Sequence, residues 1–573
     1  MKKDADYVFY ELTRSICPKC RKVIDAKVLL RDNKVYMRKR CPDCGPFEAL
    51  VYSDAQAYTS HGRYNKPGTI PLAFSGELRD GCPYDCGLCP DHQQHTCLGI
   101  IEVNSACNMN CPLCFSEASP GFSLTLEEVE QMLDDYVRTE GNPEVVQFSG
   151  GEPTIHPQII DFVRAAKDRN IPFVMINTNG KRIAKDDRFL EQLHQVRPSL
   201  YFQFDGFDSE TYRTLRGEPD ILEEKLRALD RLAQIGLNVT IVPAIERGVN
   251  EHEVGKIIDF AIRHPAIRGI NFQPAFHAGR HAAHDPMQRM TIPDILKLIE
   301  AQTAEKFKVT DFVPVPCCFP TCNSVTYAFI DGEQITPLPR ILNVYDYLDY
   351  ITNRVMPDWS LEIKGALEGL WSSSSVAGSQ KATDQIAFSC QACGILESIT
   401  VGDIARRMIM IMLQDFIDPW TFNQKNLMKC CKEFLLSGGK QIRFCTYNTI
   451  GYREQARAQL EAAEPERRRA RAERRKYEPR PAGYVPVLAS GDGLESGGLM
   501  SSPDTVKQCC ARLYESDFAR LLLGDSFHPG GTKLTERLGE LLGLDAQSRV
   551  LDIASGTATS ALFLADRFGV GVH

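Results

Sequence analysis

Three cysteines share one short loop, Cys107-Asn-Met-Asn-Cys111-Pro-Leu-Cys114, directly after an apolar run GIIEVN. Three thiolates that close together can bind three irons of a cubane [4Fe–4S] cluster, and the missing fourth ligand leaves one iron open to a substrate or cofactor. A second triad of the same spacing lies upstream, Cys82, Cys86 and Cys89, with Cys97 following in GCPYDCGLCPDHQQHTC. These four cysteines can saturate a further [4Fe–4S] cluster, and zinc is the alternative because the same thiolates suit either metal. His92 and His95 read as donors beside the sulfurs rather than as ligands. Cys17 and Cys20 precede Cys41 and Cys44 by twenty intervening residues. Four thiolates at two turns satisfy one tetrahedral ion, either zinc or iron. Two groups distant in sequence, Cys317, Cys318 and Cys322 with Cys390 and Cys393, either converge on another cluster or are buried structural cysteines. Cys430, Cys431 and Cys445 give a fainter signal, and Cys509 and Cys510 read as uninvolved in metal binding.

The chain has 573 residues, a length for three to four domains. Hydrophobic residues at 43% and charged residues at 24% match ordinary globular proteins and exclude a disordered or fibrous chain. The net charge of −8 argues against a nucleic-acid coat, so no nucleic acid is expected as a partner. The N-terminus MKKDADYVFYELTRS lacks the apolar core of a signal peptide, and the purest apolar run, residues 408–413, is far too short to span a membrane. A cytoplasmic setting is therefore expected. Paired cysteines in a reducing compartment read as metal ligands rather than disulfides.

The elements that must position these groups follow from periodicity. From about 98 to 280, apolar strand candidates GIIEVN, EVVQFSG, PFVMINTNG, LYFQFDG, NVTIVPAI and GINFQPAF alternate with helical patterns such as LTLEEVEQMLDDYVRTE and ILEEKLRALDRLAQIG. Continuous apolar strands spaced by amphipathic helices predict a parallel sheet buried on both faces, as a partial barrel or a doubly wound sheet, with ligands at the carboxyl ends of its strands. Upstream, KVLLRDNKVYMRKR predicts a hairpin between the first two cysteine pairs. The run IARRMIMIMLQDFIDPW (404–420) reads as a buried core helix or as a greasy wall for an alkyl chain. Basic residues 467–476 passing into Pro, Gly and Ser predict a solvated helix and a linker.

The Cys107, Cys111 and Cys114 triad at the end of one strand, together with Ser149-Gly150-Gly151-Glu152-Pro153 at the end of the next, resembles the radical S-adenosylmethionine superfamily. The resemblance implies that the three cysteines hold a [4Fe–4S] cluster and that the open iron chelates S-adenosylmethionine. It implies that the backbone of Gly150 to Glu152, with Pro153, receives the methionine ammonium and that Phe115 neighbours the adenine. Asn177, Asn179, Asp205 and Gln273, at later strand ends, are candidates for the ribose or the substrate. The residue before the third cysteine is usually aromatic in that family and is Leu113 here.

The implied fold is α/β: a radical-SAM partial (β/α)6 barrel with an N-terminal rubredoxin- or zinc-ribbon-like domain, a cysteine-bearing, mainly helical C-terminal region and an incomplete Rossmann-like fragment. The expected segments are 1–60 (metal ribbon), 61–97 (auxiliary cluster), 98–290 (barrel), 291–450 (substrate and auxiliary-cluster region), 451–500 (charged helix and linker) and 501–573. The last resembles a truncated class I methyltransferase, with Asp552, Ala554, Gly556 and Ala558 as its cofactor-binding turn.

Across roughly 15–450 the cysteine arrangement is similar to the subgroup of tetraether lipid synthases and class D radical methylases of 7,8-dihydro-6-hydroxymethylpterin. The implied cofactors are one [4Fe–4S] cluster with S-adenosylmethionine, one or two auxiliary [4Fe–4S] clusters, and a zinc or iron ion in the ribbon. A low-potential electron donor such as ferredoxin or flavodoxin and a lipid or small-molecule substrate are the expected partners, with peripheral membrane contact in the lipid case. The apolar run at 404–420, with Arg406, Arg407, Lys429 and Lys432 near it for a headgroup, favours C–C bond formation on an alkyl chain. Methylation of a pterin is the alternative, and an iron–sulfur carrier or a zinc-binding module are the competing classes.

Overall fold

The alternating apolar runs on either side of Asp32 and Asn33 pair as the sequence predicts. In the computed structural model, β1 (Val8–Ile16), β2 (Val23–Arg31), β3 (Lys34–Cys41) and β4 (Gly45–Tyr52) form a four-stranded antiparallel meander. Asp32 and Asn33 adopt φ of 50° and 53° at the β2–β3 turn, the left-handed pair that a tight hairpin of right-twisted strands requires. The helix α1 (Ala55–His61) follows, capped by the Asp54 carboxylate, which accepts from the Ala57 N–H. The structure describes residues 5–281, 284–316, 318–340, 407–475, 536, 540, 544–550 and 559–572. The chain divides into one unit of Met1–Leu348, Thr352–Met356 and Met408–Tyr477 and another of Asp349–Ile351, Pro357–Arg407 and Glu478–His573.

All six strand candidates of the βα region are present. They are β5 (Leu98–Asn104), β6 (Val145–Gly150), β7 (Phe173–Thr178), β8 (Ser199–Gln203), β9 (Val239–Val242) extended by β10 (Ala244–Ile245), and β11 (Ile267–Pro274). Between them run α2 (Leu126–Glu140), α3 (Ile159–Asp168), α4 (Asp187–Val196), α5 (Ser209–Arg216), α6 (Leu222–Gln234) and α7 (Val254–Arg263). The start of α2 is fixed by a capping box, in which the Thr125 hydroxyl accepts from the Glu128 N–H and the Glu128 carboxylate accepts from the Thr125 N–H. From β5 to β9 and then β11 the strands pair in parallel and add on one side in chain order. That order is a barrel's, since a doubly wound sheet reverses direction at its switch point.

Among the described residues after the barrel, strands outnumber helices where a mainly helical region was expected; residues 341–406 of it lie outside the described residues. The segment holds α8 (Ile292–Gln302), β12 (Val313–Pro314), β13 (Asn323–Asp331), β14 (Gln334–Pro337), β15 (Met408–Gln414), α9 (Gln424–Met428), β16 (Lys432–Leu435), β17 (Gln441–Arg443) and α10 (Phe444–Thr449). The methionine-rich run is the strand β15, parallel to β11 on one side and antiparallel to β13 on the other. A short apolar run cannot be assigned to helix or strand by periodicity alone, and here Ile409 and Ile411 favour the extended form. At the opposite edge β16 pairs in parallel with β5. Gln414 from β15 and Lys432 from β16 line one cavity, so the sheet curls until the strands flanking its parallel core on either side reach a common space.

The chain then enters α11 (Tyr452–Arg475), which contains most of the basic run. Its first turns, ahead of the basic run, are docked: Arg453 and Arg457 both reach the Glu102 carboxylate on β5, at 3.2 and 3.6 Å. In the second unit, β18 (Arg549–Val550) pairs in parallel with β19 (Gly571–Val572), with α12 (Thr559–Phe568) between them in sequence. Cys317, Cys390, Cys393, Cys509, Cys510, Arg406, Asp552, Ala554, Gly556, Ala558 and the linker lie outside the described residues. Among the described residues no helix is long and apolar enough to cross a membrane.

Candidate active site and metal centres

The loop after β5 carries Cys107, Cys111 and Cys114 into a cavity of about 600 Å3, lined also by Met109, Phe115 and the Gly150–Glu152 segment. Two backbone hydrogen bonds between Cys114 and Arg280 tie the loop to the segment after β11, at 2.9 and 3.0 Å. The Arg280 guanidinium donates to Asn110 Oδ1 at 2.7 Å. Burial pushes the Cys107 thiol up to about 12 and raises that of Cys111. Burial also acts on Cys114, but hydrogen bonds from the Ser116 hydroxyl and the Ala118 and Ser116 N–H groups outweigh it and hold this thiol below its usual range.

The glycines at the end of β6 are required by contact. Gly150 has φ of 137°, and a Cβ there would lie 2.2 Å from the Asn104 carbonyl oxygen. A Cβ on Gly151 would lie 2.1 Å from the Ala106 carbonyl oxygen. The backbone of both residues therefore lies flush against the cysteine loop and forms a wall of the cavity. The carboxylate of Glu152 is turned away into the fold. It accepts from the Thr154 N–H and hydroxyl, the Thr178 hydroxyl and the Asn179 N–H. Pro153 opens the short turn that follows, at a position needing no N–H. The arrangement fits a three-sulfur cluster with an amino-acid ligand: three thiols face a space whose other wall is exposed backbone, and its lining holds no fourth cysteine.

The remaining sequence candidates divide by what they touch. Asn177 lines the cavity and donates to Ser149 Oγ at 3.2 Å. Asn179 lines it too and donates to Asn108 Oδ1 in the cysteine loop at 2.7 Å. Gln273 lies in the adjoining cavity, donating to the Tyr201 hydroxyl at 2.7 Å. Asp205 is not available to a ribose or substrate. It is fully buried and both oxygens are taken by Arg216, at 2.6 and 2.7 Å, with the Ala244 N–H as a third donor. Its work is to hold Arg216, which lines the cavity and donates to the Leu113 carbonyl at 3.1 Å.

That adjoining cavity, about 970 Å3, shares Leu113, Phe115, Asn177, Gln203 and Arg216 with the cysteine cavity. One part of its wall is amide-rich: Gln147, Asn177, Gln203, Gln273 and Gln414, beside Tyr201. Another part is aromatic: Phe115, Phe276, Phe416 and Phe444. Tyr201 accepts from Asn271 and Gln273, and burial raises its pKa, so it carries its proton at neutral pH. Sequence reasoning missed Gln147, Tyr201, Gln203, Arg216 and Gln414. For the four on strands the signal was a polar residue within an apolar strand, as in Tyr201 and Gln203 of β8, where burial demands a partner; Arg216, at the end of α5, gave no such signal.

The other cysteines regroup. Cys17, Cys20, Cys41 and Cys44 bring their sulfurs within 4.8 Å of one another, with Cys20 and Cys41 3.7 Å apart. A tetrahedral ion with metal–sulfur bonds of about 2.3 Å places its sulfurs roughly 3.8 Å apart, so the ribbon is set for one ion. Cys82, Cys86 and Cys89 line a separate pocket with Arg443. Cys97 is not among its lining residues; it packs instead with Cys318 and Cys431. The expected grouping of four consecutive cysteines is thus broken by β5, whose start at Leu98 fixes Cys97 beside the sheet. Cys318, Cys322, Cys430, Cys431 and Cys445 line a further pocket, which gives the last three a place that their spacing did not suggest. His92 has both ring nitrogens engaged, Nε2 at the Cys430 carbonyl and Nδ1 with the Arg443 guanidinium, as a neutral donor beside the sulfurs. Lys429 is turned inward to Asn65 and the Lys66 carbonyl, away from any headgroup.

Residues 101–261 match the radical SAM superfamily, and residues 9–53 match the HMPTM N-terminal zinc ribbon domain. The chain is 30% identical over 485 residues to the 7,8-dihydro-6-hydroxymethylpterin dimethyltransferase of Methanocaldococcus jannaschii, covering 77% of this chain and 94% of that one. It is 32% identical over 178 residues to the GTP 3′,8-cyclase of Chlorobaculum tepidum, and 27% identical over 164 residues to the AdoMet-dependent heme synthase of Methanosarcina barkeri. Those two matches cover 30% and 28% of this chain and about half of each relative, 53% and 45%. With a ribbon of four facing thiols, a cysteine triad at the mouth of a parallel barrel, and a relative matched along nearly its whole length, the chain belongs to the radical SAM superfamily, in the methyltransferase subgroup that carries an N-terminal zinc ribbon.

Proposed function

We propose that this enzyme methylates a pterin-like nitrogen heterocycle bound in the barrel. The observation that carries the reading is the amide-lined cavity joined to the cysteine cavity through Phe115, Asn177, Gln203 and Arg216. A fused heterocycle presents alternating donors and acceptors along its edge, which carboxamides match in both directions, and flat faces, which Phe276 and Phe416 can cover.

Cys107, Cys111 and Cys114 would hold the cluster, and the backbone of Gly150, Gly151 and Glu152 the methionine part of S-adenosylmethionine. Bound there, the pair would supply one-electron cleavage of the sulfonium to methionine and a 5′-deoxyadenosyl radical that takes a hydrogen atom from the substrate; the methyl group would come from a second S-adenosylmethionine, which leaves as the thioether, with the reductant supplying both electrons. Asn179 fixes the cysteine loop through Asn108, and Arg216, braced by Asp205, closes the loop from below at Leu113. Cys82, Cys86 and Cys89 would hold one auxiliary cluster, and Cys318, Cys322 and Cys431 a second, with ferredoxin or flavodoxin as the electron source. The lipid reading loses its main support, because the β15 residue lining the cavity is Gln414 and no methionine of the run does so.

Anaerobic incubation with dithionite, S-adenosylmethionine and 7,8-dihydro-6-hydroxymethylpterin tests the proposal by mass spectrometry. Methylated pterin formed together with 5′-deoxyadenosine supports it. Formation of 5′-deoxyadenosine with the pterin unchanged would overturn it.

A further inference from the structure

Beyond β11 the chain reads Phe276-His277-Ala278-Gly279-Arg280-His281, followed closely by His284. Phe276 and Ala278 face the barrel cavity, and the histidines do not line it. The three imidazoles collect behind that wall, each with a ligand atom within 4.8 Å of the other two. The rings of His277 and His284 stack with centroids 4.9 Å apart, and His281 meets His284 edge-on at 5.2 Å. The His281 and His284 side chains are only 6% and 4% exposed.

Three half-buried imidazoles this close normally share hydrogen bonds, and these do not. His277 Nδ1, His281 Nδ1 and His284 Nε2 all lack a partner. The surroundings are those of a cation site. Asp418 Oδ2 lies 3.7 Å from His284 Nε2 and accepts from the His277 N–H. The outer nitrogen of His281 meets the Glu246 carboxylate at 2.9 Å, the contact that orients a metal-bound histidine. Asp418 and Glu246 bring two carboxylates to the cluster, against the guanidinium groups of Arg289, which is paired with Asp415, and of Arg21.

We propose that His277, His281 and His284 form a mononuclear site for a divalent transition metal such as zinc or iron(II), with the Asp418 carboxylate beside His284. Nitrogen donors around tetrahedral zinc stand about 3.4 Å apart, so rotation of the side chains closes the site. The ion pins the segment that pairs with Cys114 through Arg280, and so stiffens one edge of the cysteine loop from behind the cavity wall. It is a positioning centre, separate from the ribbon's four thiols.

The test uses the full chain with its ribbon and clusters loaded, incubated with excess Zn2+, desalted, and assayed for total zinc, iron, manganese, cobalt and nickel. Wild type is expected to hold one equivalent more than His284→Ala and His281→Gln, with sulfide content unchanged. The zinc absorption edge of wild type should show imidazole scattering in addition to sulfur, a readout that needs no variant to fold. Equal metal content in wild type and both folded variants, or a zinc shell of sulfur alone, overturns the proposal.

Discussion

In the ribbon, four sulfurs face one another within 4.8 Å, and Phe47 and Trp420 pack around them. In the loop after β5, three sulfurs face outward into about 600 Å3 of space whose far wall is the bare backbone of Gly150 and Gly151. The amino acid is the same, and the difference lies in what closes the coordination sphere. A hairpin that brings two cysteine pairs together finishes the job of holding an ion and leaves nothing for a substrate to do. A loop with three cysteines at a strand end leaves the job unfinished, and the missing ligand is the point at which chemistry enters. The protein adds pressure against a fourth donor there, since Glu152 is bound inward through Thr154, Thr178 and Asn179.

The comparison can be broken by substitution. Cys111→Ala should abolish 5′-deoxyadenosine formation while the ribbon keeps its metal, measured by product assay and metal analysis on one sample. Cys41→Ser should do the reverse. It should release the ribbon ion, forfeiting apparent binding energy on the order of 10 kcal/mol, and expose residues 9–53 to limited proteolysis while sulfonium cleavage persists. Loss of cleavage in a folded Cys41→Ser chain would mean that the two sites are not separate in function.

Two further variants sharpen the account of how the open site is held. Asp205→Asn leaves Arg216 buried without its counter-charge and should cost about 3–5 kcal/mol in urea denaturation. Gln273→Leu should raise the KM for the pterin by roughly tenfold, about 1.4 kcal/mol, with cleavage of S-adenosylmethionine in the absence of pterin unchanged.

The smallest effect concerns acid. His61, beside Tyr52, is lowered by burial and by Arg63 to about 4. The unfolded chain therefore binds the extra proton between pH 6.5 and 4, and stability in this part of the ribbon should fall as pH drops through that window. His61→Phe should flatten the slope in melts recorded across it.

The sequence made the barrel legible because its strands are buried on both faces and read as unbroken apolar runs, and the cysteine spacings were legible because they are local. What was not legible depended on contacts between distant segments. The strand β15 has the same composition as a buried helix, and only its pairing between β11 and β13 decides. Cys97 sits within reach of the Cys82–Cys89 group in sequence, yet the start of β5 commits it to Cys318 and Cys431. Asp205 has the residue type of a ribose ligand, and Arg216, eleven residues on, consumes it. The amide wall arises from Gln147, Gln203, Gln273 and Gln414 on four separate strands, which no single window could assemble.

The central claim is that the cysteines after β5 leave one iron open for the amino-acid end of S-adenosylmethionine. It is tested most directly by electron–nuclear double resonance on the dithionite-reduced chain, using S-adenosylmethionine labelled with 15N in its amino group. The account predicts a 15N hyperfine coupling to the cluster that vanishes in Cys107→Ala. A reduced spectrum that S-adenosylmethionine leaves unchanged, with no such coupling, would contradict it.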